Sequence, residues 1–194
     1  MTVDVPWREP DWTTPLDDAA ALRAIPETAT MTGMFLDAVA KLGRDKGFSP
    51  PSARARYTAF QAYPLLERCR IVLEVARAIH PNLPLRQARR RLGLGAPYVL
   101  MQSTVGRVVL GSVDGPLATL QAMARSYMLH MRPGSLTVEP HGERAAVVSM
   151  REIYNFLDSH NVGVFEGALA DARVEGRVRL HSRSATSAEL LCEW

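Results

Sequence analysis

Four arginines crowd into one short stretch of this 194-residue chain, at Arg86, Arg89, Arg90 and Arg91. On a helix Arg86, Arg89 and Arg90 share a face at spacings of three and four, while Arg91 points elsewhere. A fork of guanidinium groups at that spacing suits carboxylate or phosphate, because each presents planar paired donors. No aromatic residue interleaves the run to stack on bases, so nucleic acid is not the expected ligand. The favoured reading is a helix face that pairs with acidic residues of the same chain or of a partner. Arg86, Arg89 and Arg90 are therefore the candidate interaction surface.

A second arginine stands alone. Arg107 is the only formal charge among Val99, Leu100, Met101, Val105, Val108, Val109 and Leu110. A buried guanidinium without a partner is costly, so Arg107 must pair internally, snorkel, or meet an anionic ligand group. Internal pairing is the first expectation. No other constellation promises catalysis: the chain has no CxxC, HExxH, phosphate loop or GxSxG elbow. The five histidines, His80, His130, His141, His160 and His181, fall on different elements or turns, none at metal-ligand spacing. The expectation is no enzyme, no metal and no cofactor.

Charge is unevenly laid out. From Lys41 to Arg107, 13 Lys or Arg face 3 Asp or Glu, and the rest of the chain carries 10 against 17. Of the 23 basic residues 21 are Arg, a usage that also follows from a GC-rich genome. The apolar content of 47% with 22% charged residues is globular composition and excludes wholesale disorder. The N-terminus lacks the basic start and apolar core of a secretory signal. The most apolar stretch, Ala96 to Val113, is broken by Gln102, Ser103, Thr104 and Arg107, short of the roughly 20 apolar residues a membrane span needs. Cys69 and Cys192 sit inside apolar patterns and read as packed free thiols. Together these predict a cytoplasmic protein.

The elements that must position these residues follow from periodicity. Residues 1–15 hold Pro6, Trp7, Pro10 and Trp12 and read as an extended arm, with an edge strand as one form it could take. A short helix follows over 16–24. Thr30 caps a helix to about Lys46, and Leu65, Cys69, Val72, Leu73 and Ala76 mark another over 64–80. A short helix is predicted over 84–92, an apolar helix over 97–111 and another helix over 116–131. After Pro133-Gly134 the period becomes alternating: Leu136 and Val138, then Ala146 and Val148, form a hairpin around Pro140-His141-Gly142. A helix over 161–173 carries Gly163 and Gly167, which implies something packed closely there, and Gly176 lies past its end.

The closing hairpin takes a register that sets Arg183 against Glu189, Arg179 against Glu193, Leu180 against Cys192 and Val178 against Trp194. The class is α+β: an N-terminal helical layer on a C-terminal antiparallel sheet, in hairpin-helix-hairpin order. Residues 1–29 form the arm and short helix, and 30–194 a single domain.

The segments Tyr63-Pro64, His80-Pro81-Asn82-Leu83-Pro84, Ala88-Arg89-Arg90-Arg91-Leu92-Gly93, Thr104-Val105-Gly106-Arg107 and Gly163-Val164-Phe165-Glu166-Gly167-Ala168-Leu169 stand in an order that resembles a family of unknown function. That family is greatly expanded in myxobacteria. The alternation ending in Glu193-Trp194 is similar to its C-terminus, so the resemblance runs from about Met31 onward. It implies no activity, catalytic residue or cofactor. At the level of fold, the element order is similar to vinyl-reductase-type regulatory domains and heme–nitric-oxide-binding domains, which hold a small molecule between helices and sheet. The heme-binding Tyr-x-Ser-x-Arg signature is not reproduced, Ser182-x-Ser184 being the nearest remnant, and heme is not expected.

Two roles remain. One is a non-enzymatic sensor that binds a small, largely apolar ligand between the 97–111 helix, the 161–173 helix and the sheet, lined by Tyr98, Met101, Arg107, Phe165 and Trp194. The other is a protein-interaction adaptor that uses the basic half of the chain, with a homodimer as one form. The sensor is ranked first because the pocket-forming architecture is the more particular inference.

Overall fold

In a computed structural model, residues 7–98 and 113–194 are described. Helix α1 (Asp18–Arg23) starts where the Asp17 carboxylate caps the Ala20 amide at 2.8 Å. Strand β1 (Thr30–Thr32) runs directly into α2 (Gly33–Asp45). The sequence places Thr30 as a helix cap; instead Thr32 holds that position. Thr30–Thr32 pairs antiparallel with β2 (Ala62–Pro64) on one side and β3 (Met131–Arg132) on the other. The alternating Thr-Met-Thr buries Met31 while both threonines stay partly open, a strand pattern too short for periodicity to announce.

Helix α3 (Leu65–Ile79) is sheathed in protein, with Leu65, Cys69, Ile71, Val72, Leu73, Val75 and Ala76 all buried. Helix α4 (Leu85–Leu94) follows after Pro84, and α5 (Pro116–His130) begins with Pro at its first turn. Strands β4 (Ser135–Pro140) and β5 (Ala145–Arg151) form the expected hairpin, with Leu136 opposite Met150 and Val138 opposite Val148. A π-helical turn (Leu157–Asn161) then leads into α6 (Val162–Asp171). The single helix expected from Asn161 is therefore preceded by an extra turn, entered through Phe156 in the left-handed region at φ 51°. Strands β6 (Arg177–Ser182) and β7 (Ala188–Glu193) complete a four-stranded antiparallel sheet of order β4-β5-β7-β6.

The final hairpin differs from the predicted register by two residues. Leu180 pairs with Leu190, Val178 with Cys192 and Arg177 with Glu193. An even slip leaves every side chain on its face, so Val178, Leu190 and Cys192 stay buried. The charge pairs survive as diagonals: Arg179 meets Glu193 at 2.7 Å and Arg183 meets Glu189 at 2.8 Å. The tighter turn wins because Ser184 and Arg183 both donate backbone hydrogen bonds to the Ser187 carbonyl.

The arm adds one antiparallel bridge to the sheet edge. Arg8 and Leu180 exchange backbone hydrogen bonds of 3.0 and 2.8 Å, and Trp7 lies edge-on to His181. The buried apolar side chains of helices and sheet form one connected cluster. Helices α4 and α6 cross backbone to backbone within it. A Cβ on Gly163 would stand 2.1 Å from the Arg90 carbonyl oxygen, and one on Gly167 2.4 Å from that of Leu94. Close packing is what the two glycines are for.

Candidate functional site

A cleft of about 470 Å³ opens where three helical segments meet. Its walls are Pro97 and Tyr98, the turn Val113-Asp114-Gly115 with Thr119 and Met123 of α5, and Asp171-Ala172-Arg173 at the end of α6. Gly115, at φ 82°, turns the chain into α5, and Thr119 returns its hydroxyl to the Gly115 carbonyl at 2.9 Å. Thr119 and Met123 then share a helix face four residues apart. Arg173, at φ 59°, ends the opposite wall.

The lining mixes an apolar floor (Pro97, Val113, Met123) with the Tyr98 phenol, the Thr119 hydroxyl, two carboxylates and one guanidinium. Partial burial raises the Asp171 carboxyl. Such a wall can hold a small molecule with an apolar body and a polar end. Among the described residues no three His, Cys, Asp or Glu side chains are placed to share a metal ion.

Of the ligand-lining residues read from sequence, Tyr98 is on this wall, 64% exposed. Met101 and Arg107 lie outside the described residues. Phe165 is in the core of α6 and Trp194 is half-buried after β7, neither of them on the cleft wall. Among the described residues no strand residue lines the cleft, whose described walls are helix ends and turns.

Of the two kinds of partner open to the arginine face of α4, the structure shows the internal one: its three arginines are engaged inside the chain. Arg86 reaches Asp158 at 3.0 Å and the Asp11 carbonyl at 3.2 Å. Arg89, with no exposed surface, meets Asp18 at 2.7 Å and lies over the Phe156 ring. Arg90 forks onto Glu166 at 2.6 and 3.0 Å and lies over Trp12. The acidic arm, the π turn and α6 supply the carboxylates, so part of the charge asymmetry of the sequence is balanced at this seam.

A buried polar cluster escaped the sequence reading. Arg68, 4% exposed, donates from Nη1 to Asn155 Oδ1 and from Nη2 to His160 Nε2, the latter at 3.0 Å. Asn155 also donates to the Tyr127 hydroxyl at 3.4 Å, and Asn161 donates to the Asn155 carbonyl at 3.1 Å. Among the described residues no carboxylate lies within ion-pair distance of Arg68. Burial lowers the Arg68 guanidinium and holds His160 well below its ordinary value, with the Arg68 charge acting in the same direction on the imidazole. Burial pushes the Cys69 thiol and the Tyr127 phenol up to about 12 each. A signal for this cluster was present: Arg68 sits three residues past Leu65 and beside Cys69, inside the buried stripe of α3.

The profile of a family described as "Protein of unknown function (DUF2378)" matches residues 24–194. No curated protein matches the chain. Among solved structures, the Fe(II) unliganded H-NOX protein from K. algicida superposes with a TM-score of 0.64 at 12% identity, over 84% of this chain and 96% of that one. An H-NOX protein from S. oneidensis in the Fe(II)NO ligation state gives 0.63 at 13% identity, over 84% and 98%. A Tt H-NOX variant gives 0.64 at 16% identity, over 84% and 94%. At such identities the likeness establishes a shared α+β fold.

Proposed function

This chain belongs to the DUF2378 family of proteins of unknown function, and we propose that it is a non-enzymatic sensor or regulatory domain. It binds a small, largely apolar molecule in the cleft between Tyr98, α5 and the end of α6. The observation that carries this reading is the cleft itself: about 470 Å³ falls inside the roughly 300–1,000 Å³ of small-molecule sites. The H-NOX-like fold supports it, since proteins of that fold are described with Fe(II) and Fe(II)NO ligation. The two buried free thiols and the absence, among the described residues, of a helix long and apolar enough to cross a membrane agree with a cytoplasmic setting.

The residues do not fit a heme iron. Among the described residues no histidine or cysteine lines the cleft, and Tyr98 and Met123 are its side chains of a kind that ligates heme. The buried histidines are engaged, His160 through Nε2 with Arg68 and His130 through Nδ1 with Thr32 at 3.1 Å. Residues 99–112 contain no histidine, cysteine or tyrosine, and Met101 is their one side chain of a ligating kind. A closer remnant of the Tyr-x-Ser-x-Arg signature than Ser182-x-Ser184 is Val147-Val148-Ser149-Met150-Arg151 on β5, and it has valine in the tyrosine's place.

The test is native mass spectrometry on protein purified from its own host, beside a Thr119→Trp variant whose indole fills the cleft. A small bound mass that the wild type retains and the variant loses is the expected result. A wild type without bound mass, or a variant that retains it, removes the sensor reading.

A further inference from the structure

Residues 7–23 lie ahead of the family match at residue 24 and behave as a strap across the body. Their polar holds on it involve arginines of α3, α4 and β6. Asp18 meets Arg89 at 2.7 Å and Arg77 at 3.5 Å, Glu9 meets Arg177 at 2.6 Å, Arg86 donates to the Asp11 carbonyl, and the Trp12 ring lies under Arg90. Among the described residues the backbone ladder adds the Arg8–Leu180 bridge. Between Trp7 and Ala24 only Pro10 is buried, and α1 buries none of its residues. Trp12 and Leu22 pack half-buried against the core, so the segment is held by charge, edge pairing and two partly buried side chains, contacts that a competing segment can replace.

The seat under the strap is under-satisfied. Arg89 has no exposed surface, yet among the described residues its Nε and Nη2 have no hydrogen-bond partner, and neither has Arg86 Nε. A guanidinium fork is complementary to a carboxylate that accepts two parallel hydrogen bonds, and Asp18 accepts one from Arg89.

We propose that the arginine face of α4 is a docking site for an acidic, tryptophan-bearing segment of a partner protein, and that residues 7–23 occupy it in its absence. The partner lays a carboxylate on Arg89 and an aromatic ring on Arg90, and extends along the free edge of β6 by strand addition. Since Asp158 pairs with Arg86 and Phe156 lies under Arg89, the exchange reaches the π turn that carries His160.

A fluorescent synthetic peptide of residues 7–24, added to full-length protein, tests this by anisotropy. An Asp18→Asn/Trp12→Ala double variant, whose strap is weakened, should bind the peptide at least tenfold more tightly than the wild type. Arg90→Gln in that background should lose most of the gain, as should a peptide carrying Asp18→Asn. Equal binding to wild type and double variant, or binding to neither, overturns the proposal. A concentration-dependent dimer of the double variant overturns it in favour of arm exchange between copies. Hydrogen exchange on the wild type is independent of how the variants fold. The amides of Arg8, Ala20 and Ala21 should exchange far faster than those of α3, and exchange only at the rate of the α3 core makes the arm integral and the docking reading wrong.

Discussion

The guanidinium of Arg68 and the imidazole of His160 meet 3.0 Å apart in the interior, a cation against a base with no carboxylate among the described residues to balance them. Arginine can only donate, so His160 Nε2 is the acceptor and the ring is neutral. The pair ties α3 to the π turn, and Asn155 closes the arrangement by accepting from the same guanidinium.

This pair sets a pH dependence. Because the folded state holds His160 well below its ordinary value, the unfolded chain binds a proton that the folded chain refuses as pH falls below about 6.5. Stability is therefore complete above that pH and declines beneath it, by up to about 1.4 kcal/mol per pH unit for one histidine. His130 and His80 shift in the same direction, so the wild type retains some decline when His160 is replaced. Urea unfolding midpoints at pH 7.5, 6 and 5 should fall in the wild type and fall less in His160→Gln, whose amide still accepts from Arg68. Parallel declines in the two proteins would mean that His160 is not the group responsible.

The thiols offer a simpler check. Cys69 and Cys192 have no exposed surface, and burial raises both, Cys69 to about 12. Only the thiolate reacts, so an aromatic disulfide reagent at pH 8 should leave both untouched in the native protein and titrate both in denaturant. Fast reaction of either in the folded state would contradict the packing of α3 or β7.

Much of the fold was legible because its signals are local. The stripe on α3, Pro116 at the start of α5, and the alternation of Leu136 and Val138 with Ala146 and Val148 each depend on residues within one or two turns. The π turn was not legible: Leu157 to Asn161 carries no periodicity of its own, and it exists because Phe156 turns left-handed and the Arg68 cluster holds Asn155 and His160 from another helix. The sheet of β1, β2 and β3 joins strands of two or three residues about 30 and 100 positions apart in sequence. Which carboxylates the α4 arginines would meet was not legible for a related reason. Arg86, Arg89 and Arg90 have the right spacing for a surface, but whether a guanidinium faces water depends on where Asp18, Asp158 and Glu166 arrive, which is a tertiary fact.

The diagonal pair Arg179–Glu193 helped to select the predicted register and is retained in the observed one. Its two side chains remain 29% and 36% exposed, so solvent screens the attraction and the coupling should be small, about 0.2–1 kcal/mol. A double-mutant cycle of Arg179→Ala and Glu193→Ala, repeated in 1 M salt where screening is nearly complete, should show that coupling shrink. Coupling that is larger and indifferent to salt would mean that the pair is desolvated and fixes the hairpin register.

Crowding and backbone conformation can be separated at the glycines. Gly163→Ala places a methyl 2.1 Å from the Arg90 carbonyl oxygen. That atom belongs to a helix backbone and cannot swing aside, so α4 and α6 must separate. The gain of roughly 1 kcal/mol in helix propensity is outweighed by overpacking, and a net loss of about 2–3 kcal/mol is expected. Gly95→Ala meets nothing nearer than 3.7 Å at an ordinary φ of −82°, and should be neutral or add about 0.4–1 kcal/mol by restricting the unfolded chain. Gly142→Ala has open space but φ 80°, and should lose about 1 kcal/mol from backbone strain alone. Chemical unfolding of the three variants should rank them Gly95→Ala, Gly142→Ala, Gly163→Ala from most to least stable. If Gly163→Ala instead matches Gly95→Ala, the two helices are not in backbone contact, and the route from the α4 arginines to the π turn loses its rigid support.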